Sequence, residues 1–77
     1  MPSKIKPIPR KRFELFLKMI GCKYKRTKGD HIMFNRKGLL RSVVITIDKE
    51  VPAFIIRTNL RTLGLSTDEY IELIKQI

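Results

Sequence analysis

A single histidine, His31, sits in the run Lys28-Gly29-Asp30-His31-Ile32-Met33-Phe34, inside a half-chain dense in lysine and arginine. Imidazole is the one side chain whose ordinary pKa lies close to neutrality, so it can both accept and release a proton there. A lone proton-transfer group among cations suits chemistry on a polyanion. The residue follows a turn, Gly29-Asp30, at which backbone can approach a ligand closely. Lys23, Lys25, Arg26 and Lys28 precede it within one strand length. The plainer alternative is a structural imidazole with no chemistry.

RNA offers such a group a defined task. Histidine can take the 2′-OH proton so that the oxygen attacks the adjacent phosphate, or it can protonate the leaving 5′-oxygen, help typically worth about 10²–10⁴-fold in rate. Arg26 and Lys28 would stabilise charge developing on the phosphoryl oxygens. The wider basic set, Lys23, Lys25, Arg26, Lys28, Arg36 and Lys37, reads as phosphate contacts that position RNA without reading its sequence. DNA lacks the reacting hydroxyl. A metal-dependent nuclease would need several converging carboxylates, and only Asp30 and Asp48 fall near this region. No metal and no cofactor are expected. Tyr24 is a candidate either for stacking on a base or for packing in its strand.

Charge distribution supports the same class of partner. Of 17 lysines and arginines, 13 fall in residues 1–41, against only Glu14 and Asp30 as acids, a balance of +11; residues 42–77 carry four basic and five acidic residues, a balance of −1. Such asymmetry points to nucleic acid or an anionic membrane surface. One cysteine, Cys22, excludes an internal disulfide and a cysteine-rich zinc site, and reads as a small packing residue. No apolar run approaches the roughly 20 residues of a membrane span. The start has no apolar segment of the secretory type, so a cytoplasmic location is expected.

The elements that must hold His31 follow from periodicity. With 77 residues the chain makes one domain with room for one small core. Residues 1–8 read as a flexible basic arm and residues 9–77 as the folded domain. Pro9 suits the start of a helix, and Phe13, Phe16, Leu17 and Ile20 follow at i, i+3, i+4 and i+7. Gly21 stops it. Cys22 to Lys28 and His31 to Asn35 read as two strands around Gly29-Asp30, with Ile32 and Phe34 on one side and His31 and Met33 on the other. A third strand is expected from Leu39 to Ile47, making an antiparallel meander. Pro52 opens a second helix with Ala53, Ile56, Leu60 and Leu63 on one face, closed by Gly64. Ser66-Thr67-Asp68-Glu69 has capping-box spacing, and Tyr70, Leu73, Ile74 and Ile77 continue a third helical stripe. The fold class is α+β, with helices on one face of a small sheet and the other face open.

At this point the chain resembles the HicA family of bacterial toxins, over about Pro9 to Leu73. One part of the likeness is the first helix with Gly21-Cys22-Lys23-Tyr24-Lys25-Arg26-Thr27-Lys28-Gly29-Asp30-His31, similar to the family's Gly-Phe turn, basic strand and Gly-x-His signature. The other is Val51-Pro52 with Thr58-Asn59-Leu60-Arg61-Thr62-Leu63-Gly64-Leu65-Ser66, similar to its second helix and Gly-Leu-Ser/Thr ending. The resemblance implies a fold like the double-stranded-RNA-binding domain, α-β-β-β-α with a short C-terminal helix. It implies mRNA cleavage with His31 as the catalytic histidine, and neutralisation by a HicB-like antitoxin. Cys22 stands in place of the family's phenylalanine, and Phe54 to Ile56 replace a common Gly-Thr pair. Asp48 stands where a histidine is often found, so His31 would work without a second imidazole. Two other readings remain open. The basic face could bind duplex RNA by shape without cutting it, or Phe54 and Ile55 could form a docking surface for a partner protein.

Overall fold

A computed structural model describes residues 5–77. In chain order the elements are β1 (Ile8–Pro9), α1 (Arg10–Met19), β2 (Lys23–Lys28), β3 (His31–Asn35), β4 (Val43–Thr46), β5 (Glu50–Val51), α2 (Ala53–Leu63) and α3 (Thr67–Ile74). β2, β3 and β4 form one antiparallel sheet in that order, the expected meander. No helix among the described residues is long and apolar enough to cross a membrane.

Period-two alternation sorts the sheet into two faces. Ile32 and Phe34 of β3 lie opposite Ile45 and Val43 of β4, and all four are buried. They join Phe13, Phe16 and Leu17 of α1, Ile56, Leu60 and Leu63 of α2, and Tyr70 and Ile74 of α3 in one core. The helices therefore cover a single face, and each fully buried aromatic or branched side chain contributes about 1.5–3 kcal/mol. Tyr70 meets Phe16 edge-on, with ring centroids 5.1 Å apart. Cys22 is buried in the same core, and burial pushes its thiol pKa up, with Arg36 opposing.

Local chemistry sets the helix ends. Pro9 precedes α1 and Pro52 precedes α2, each supplying a preset φ without needing an N–H bond. After α1, Gly21 takes φ +93° and lets its own N–H reach Lys18 O (3.1 Å) and that of Cys22 reach Leu17 O (2.8 Å). Ser66 and Glu69 form the expected reciprocal cap on α3, the Glu69 N–H donating to Ser66 Oγ (3.1 Å) and the Ser66 N–H to Glu69 Oε1 (2.9 Å). These bonds from Ser66 hold the Glu69 carboxyl below its ordinary pKa. The helix ends at Ile74, so Ile77 lies beyond the stripe it was expected to extend.

Three boundaries differ from the sequence reading. Of the arm expected over residues 1–8, residues 1–4 lie outside the described residues. The remainder is built into the fold: Ile5 is buried, and Ile8–Pro9 pairs with Glu50–Val51. The Arg10 N–H and guanidinium reinforce that seam by donating to Lys49 O and Ile47 O. The third strand begins at Val43, not Leu39, because Leu39 N–H closes a turn onto Arg36 O (3.1 Å) and Leu40 stands wholly exposed beyond it. Finally, β2 carries a bulge at Lys25: Tyr24 pairs with Phe34, but Met33 pairs with Arg26.

Candidate active site

The bulge decides which residues of β2 share a face with His31. In an antiparallel pair, directly opposed side chains project to the same side. Lys23, Arg26 and Lys28 oppose Asn35, Met33 and His31, so all three stand on the face that the helices leave open. Strict alternation would have put Tyr24 there too. The extra residue instead turns Tyr24 to the core side, where its ring meets Phe34 edge-on at 6.1 Å and its hydroxyl bonds Thr27 Oγ1 at 2.8 Å. Tyr24 is thus a packing residue at the sheet edge, still half exposed.

His31 begins β3 directly after a two-residue turn. Gly29 has φ +62° while Asp30 keeps a negative φ, the backbone pattern of a hairpin turn with glycine in its first central position. The turn is held from its far side by Ile47 N–H donating to Asp30 O (3.0 Å), which continues the β3–β4 ladder past Thr46. His31 therefore lies in one cross-strand row, with Lys28 on one side and Thr46 on the other. Neighbouring Cα atoms in such a row are about 5 Å apart. Arg26, Met33 and Val44 make the next row. The imidazole is 55% exposed, and its Nε2 lies 3.9 Å from Asp30 Oδ1, which can pair with the protonated ring. Thr46 Oγ1 in turn donates to Asp48 Oδ2 (2.8 Å). Among the described residues, no three His, Cys, Asp or Glu side chains converge in a way that could hold a metal ion.

The expected basic residues divide into two groups. Arg26 and Lys28 lie beside His31, and Gly29 and Asp30 form the adjoining turn. Lys23, Lys25, Arg36 and Lys37 gather at the opposite end of the hairpin, lining a separate open depression of about 580 Å³. With a rise of about 3.4 Å per residue, the length of β3 puts Lys23 about 14 Å along the sheet from His31, whereas Lys25, in the bulge beside Arg26, lies nearer. Within that group Arg36 is half-buried and tied into the fold, its Nη1 donating to Ile20 O at the end of α1 (3.1 Å).

Reasoning from sequence missed the wall on the other side of His31. β4 is the sheet's edge strand, and α2 runs along it. Asn59, the one buried polar residue among those described, bonds the free backbone edge of Val44 twice: Nδ2 donates to Val44 O (3.0 Å), and Oδ1 accepts from Val44 N–H (3.3 Å). One side-chain amide thus does what a fourth strand would do. A groove of about 280 Å³ results, with His31 and Thr46 at one end, Arg41 and Ser42 at the other, and Thr58 and Thr62 of α2 along its flank. The available signal was the stripe Thr58, Asn59 and Thr62, a polar row at helical spacing beside the apolar one.

An exposed imidazole flanked by cations and a carboxylate, on a face with no covering helix, is a group able to take up and release a proton at an open basic surface. Comparison with protein-family models, curated proteins and solved structures finds no match to this chain.

Proposed function

We propose that this chain is a metal-independent endoribonuclease that cleaves mRNA, and that it acts as a toxin of the HicA type, held in check by a HicB-like antitoxin in the cytoplasm. One observation carries the reading. The β2–β3–β4 register sets the chain's only imidazole between Lys28 and Thr46 on the open face, with Arg26 in the adjoining row. The order helix, three-stranded antiparallel sheet, helix, short helix is compatible with the double-stranded-RNA-binding fold that the HicA resemblance implies.

The chemistry follows from these side chains. Neutral His31 accepts the proton of a ribose 2′-OH as that oxygen attacks the adjacent phosphorus. The bond to the 5′-oxygen breaks, leaving a 2′,3′-cyclic phosphate and a strand that takes up a proton to end in a 5′-hydroxyl. Lys28 and Arg26 offset the charge that builds on the phosphoryl oxygens. Asp30 Oδ1 lies 3.9 Å from His31 Nε2, beside the nitrogen that would carry the proton. With one imidazole serving as both base and source of the returning proton, turnover is expected to be slow. The test compares an RNA with the same RNA carrying a single 2′-deoxyribose at the mapped cleavage site, both in EDTA. Cleavage should stop at the substituted position alone; continued cutting there would refute the 2′-OH mechanism.

A second reading, shape-selective RNA binding without cleavage, draws support from the basic depression formed by Lys23, Lys25, Arg36 and Lys37. A shifted band with no cut product in the same assay would select it.

A further inference from the structure

We infer that the crease between α2 and β4 carries the RNA strand leaving the scissile phosphate, with Thr46, Thr58 and Thr62 reading ribose and base and Arg41 and Arg61 holding the next phosphates. This rests on the ribonuclease reading of His31 and extends it to residues outside the basic set read from the sequence.

Two neighbouring cavities make up the crease. The groove containing His31 shares Arg41 and Thr62 with a larger one of about 490 Å³, which runs to the end of α2 and is lined also by Arg36 and Arg61. The track therefore leads from His31 along β4, turns at Arg41 and ends between three guanidinium groups. No acidic residue lines either cavity. Arg36 is already held by its bond to Ile20 O, so its fork loses little freedom on meeting a phosphate. The carboxy-terminal end of a helix ordinarily disfavours an anion. Here the left-handed turn at Gly64 engages two of those carbonyls, with Gly64 N–H donating to Arg61 O (3.2 Å) and Leu65 N–H to Leu60 O (3.0 Å).

The hydroxyls point to the ligand class. Thr46 donates to Asp48 Oδ2 (2.8 Å), Thr58 to Phe54 O (2.9 Å) and Thr62 to Thr58 O (3.4 Å). The Thr46 and Thr58 protons are engaged by protein oxygens, so these two hydroxyls present lone pairs to the crease, while the longer Thr62 contact leaves that hydroxyl able to donate or accept. A wall richer in acceptors than donors suits the ribose 2′-OH and base N–H groups of RNA better than it suits phosphate. An acidic peptide would satisfy the arginines but bring carboxylates against those lone pairs. Acceptors for the nucleoside beside His31 thus give way to donors for phosphate at the far end of one path.

The test uses the full chain carrying His31→Ala, so that RNA stays intact, with a fluorescein-labelled single-stranded RNA dodecamer and the DNA of the same sequence. In the double variant Arg41→Ala/Arg61→Ala, the slope of log affinity against log salt should flatten by about 0.7 per lost phosphate contact, about 1.4 in all. Thr58→Val/Thr62→Val should leave that slope unchanged and reduce the preference for RNA over DNA by about three- to tenfold. Lys75→Ala, on α3 and paired with Glu72, is the control and should change neither. If the chain without His31→Ala cleaves RNA in EDTA while the arginine and threonine variants bind like their parent, the crease is not the path and the reading of His31 survives. Displacement of the RNA by an oligoglutamate of matched charge at equal concentration would also overturn the path, marking the crease as a general polyanion or acidic-protein surface. If the unsubstituted chain neither cuts nor binds RNA, both fall together.

Discussion

The two ends of the β2–β3 hairpin are alike in composition and differ in what holds their charged groups. At the turn end, Lys28, Asp30 and His31 carry exposed side chains on a backbone clamped by the Ile47 N–H bond to Asp30 O. At the other end, Arg36 is drawn half into the fold, fastened to Ile20 O and packed against Gly21. One end is a hydrogen-bonded frame that presents exposed charged and titratable groups. The other uses part of its charge to finish a helix. Basic composition alone would assign both ends the same role, whereas register and capping separate them.

The largest effect should come from exchanging charge between the ends. Lys28→Ala/Arg26→Ala should lower single-turnover RNA cleavage by about 10²-fold, in the range found when an electrostatic group is removed from a transition state. Lys23→Ala/Lys37→Ala should weaken binding and flatten its salt dependence while leaving the saturated rate within a few-fold. Equal losses of rate from both pairs would erase the distinction.

Next in size is the edge strand that holds Thr46 beside His31. Asn59→Ala removes both bonds to Val44 and leaves a partly buried N–H and C=O to water, at a cost of about 1–2 kcal/mol in unfolding free energy by denaturant titration. Cleavage should fall with it if the α2 wall contributes to the site. A variant as stable as its parent would show that α2 does not need this bond to hold β4.

The smallest effect should come at the Arg36 end. Gly21→Ala forces a Cβ onto a residue at φ +93°, 3.4 Å from Arg36 Cδ, and should destabilise the fold by about 1 kcal/mol while leaving cleavage per folded molecule unchanged. A selective loss of cleavage there would place Arg36 in the chemistry after all.

Helices and hairpin were legible in the sequence because each depends on neighbours in the chain. The stripes of Phe13, Phe16 and Leu17 and of Ile56, Leu60 and Leu63, the stops at Gly21 and Gly64, and the Ser66–Glu69 cap all stand where periodicity and turn chemistry put them. His31 was placed on the open side for the same reason. The features that escaped depend on distant partners. The bulge at Lys25 exists only in the count against β3, and a strand's own residues do not announce it. The two-residue seam between β1 and β5 joins segments 41–43 residues apart. Asn59 becomes a strand substitute only once α2 lies along β4, and the threonines of the crease become a wall only then. The site was therefore half visible: its proton-transfer group and two of its cations, but not its far side.

The central claim is that His31 moves the proton. Wild-type protein and a His31→Ala variant, shown by circular dichroism to be folded, should be incubated with RNA in EDTA and their product ends mapped. The wild type should leave 2′,3′-cyclic phosphate and 5′-hydroxyl ends, and the variant should cut at a rate at least about 10²-fold lower. Undiminished cleavage by folded His31→Ala would contradict that claim.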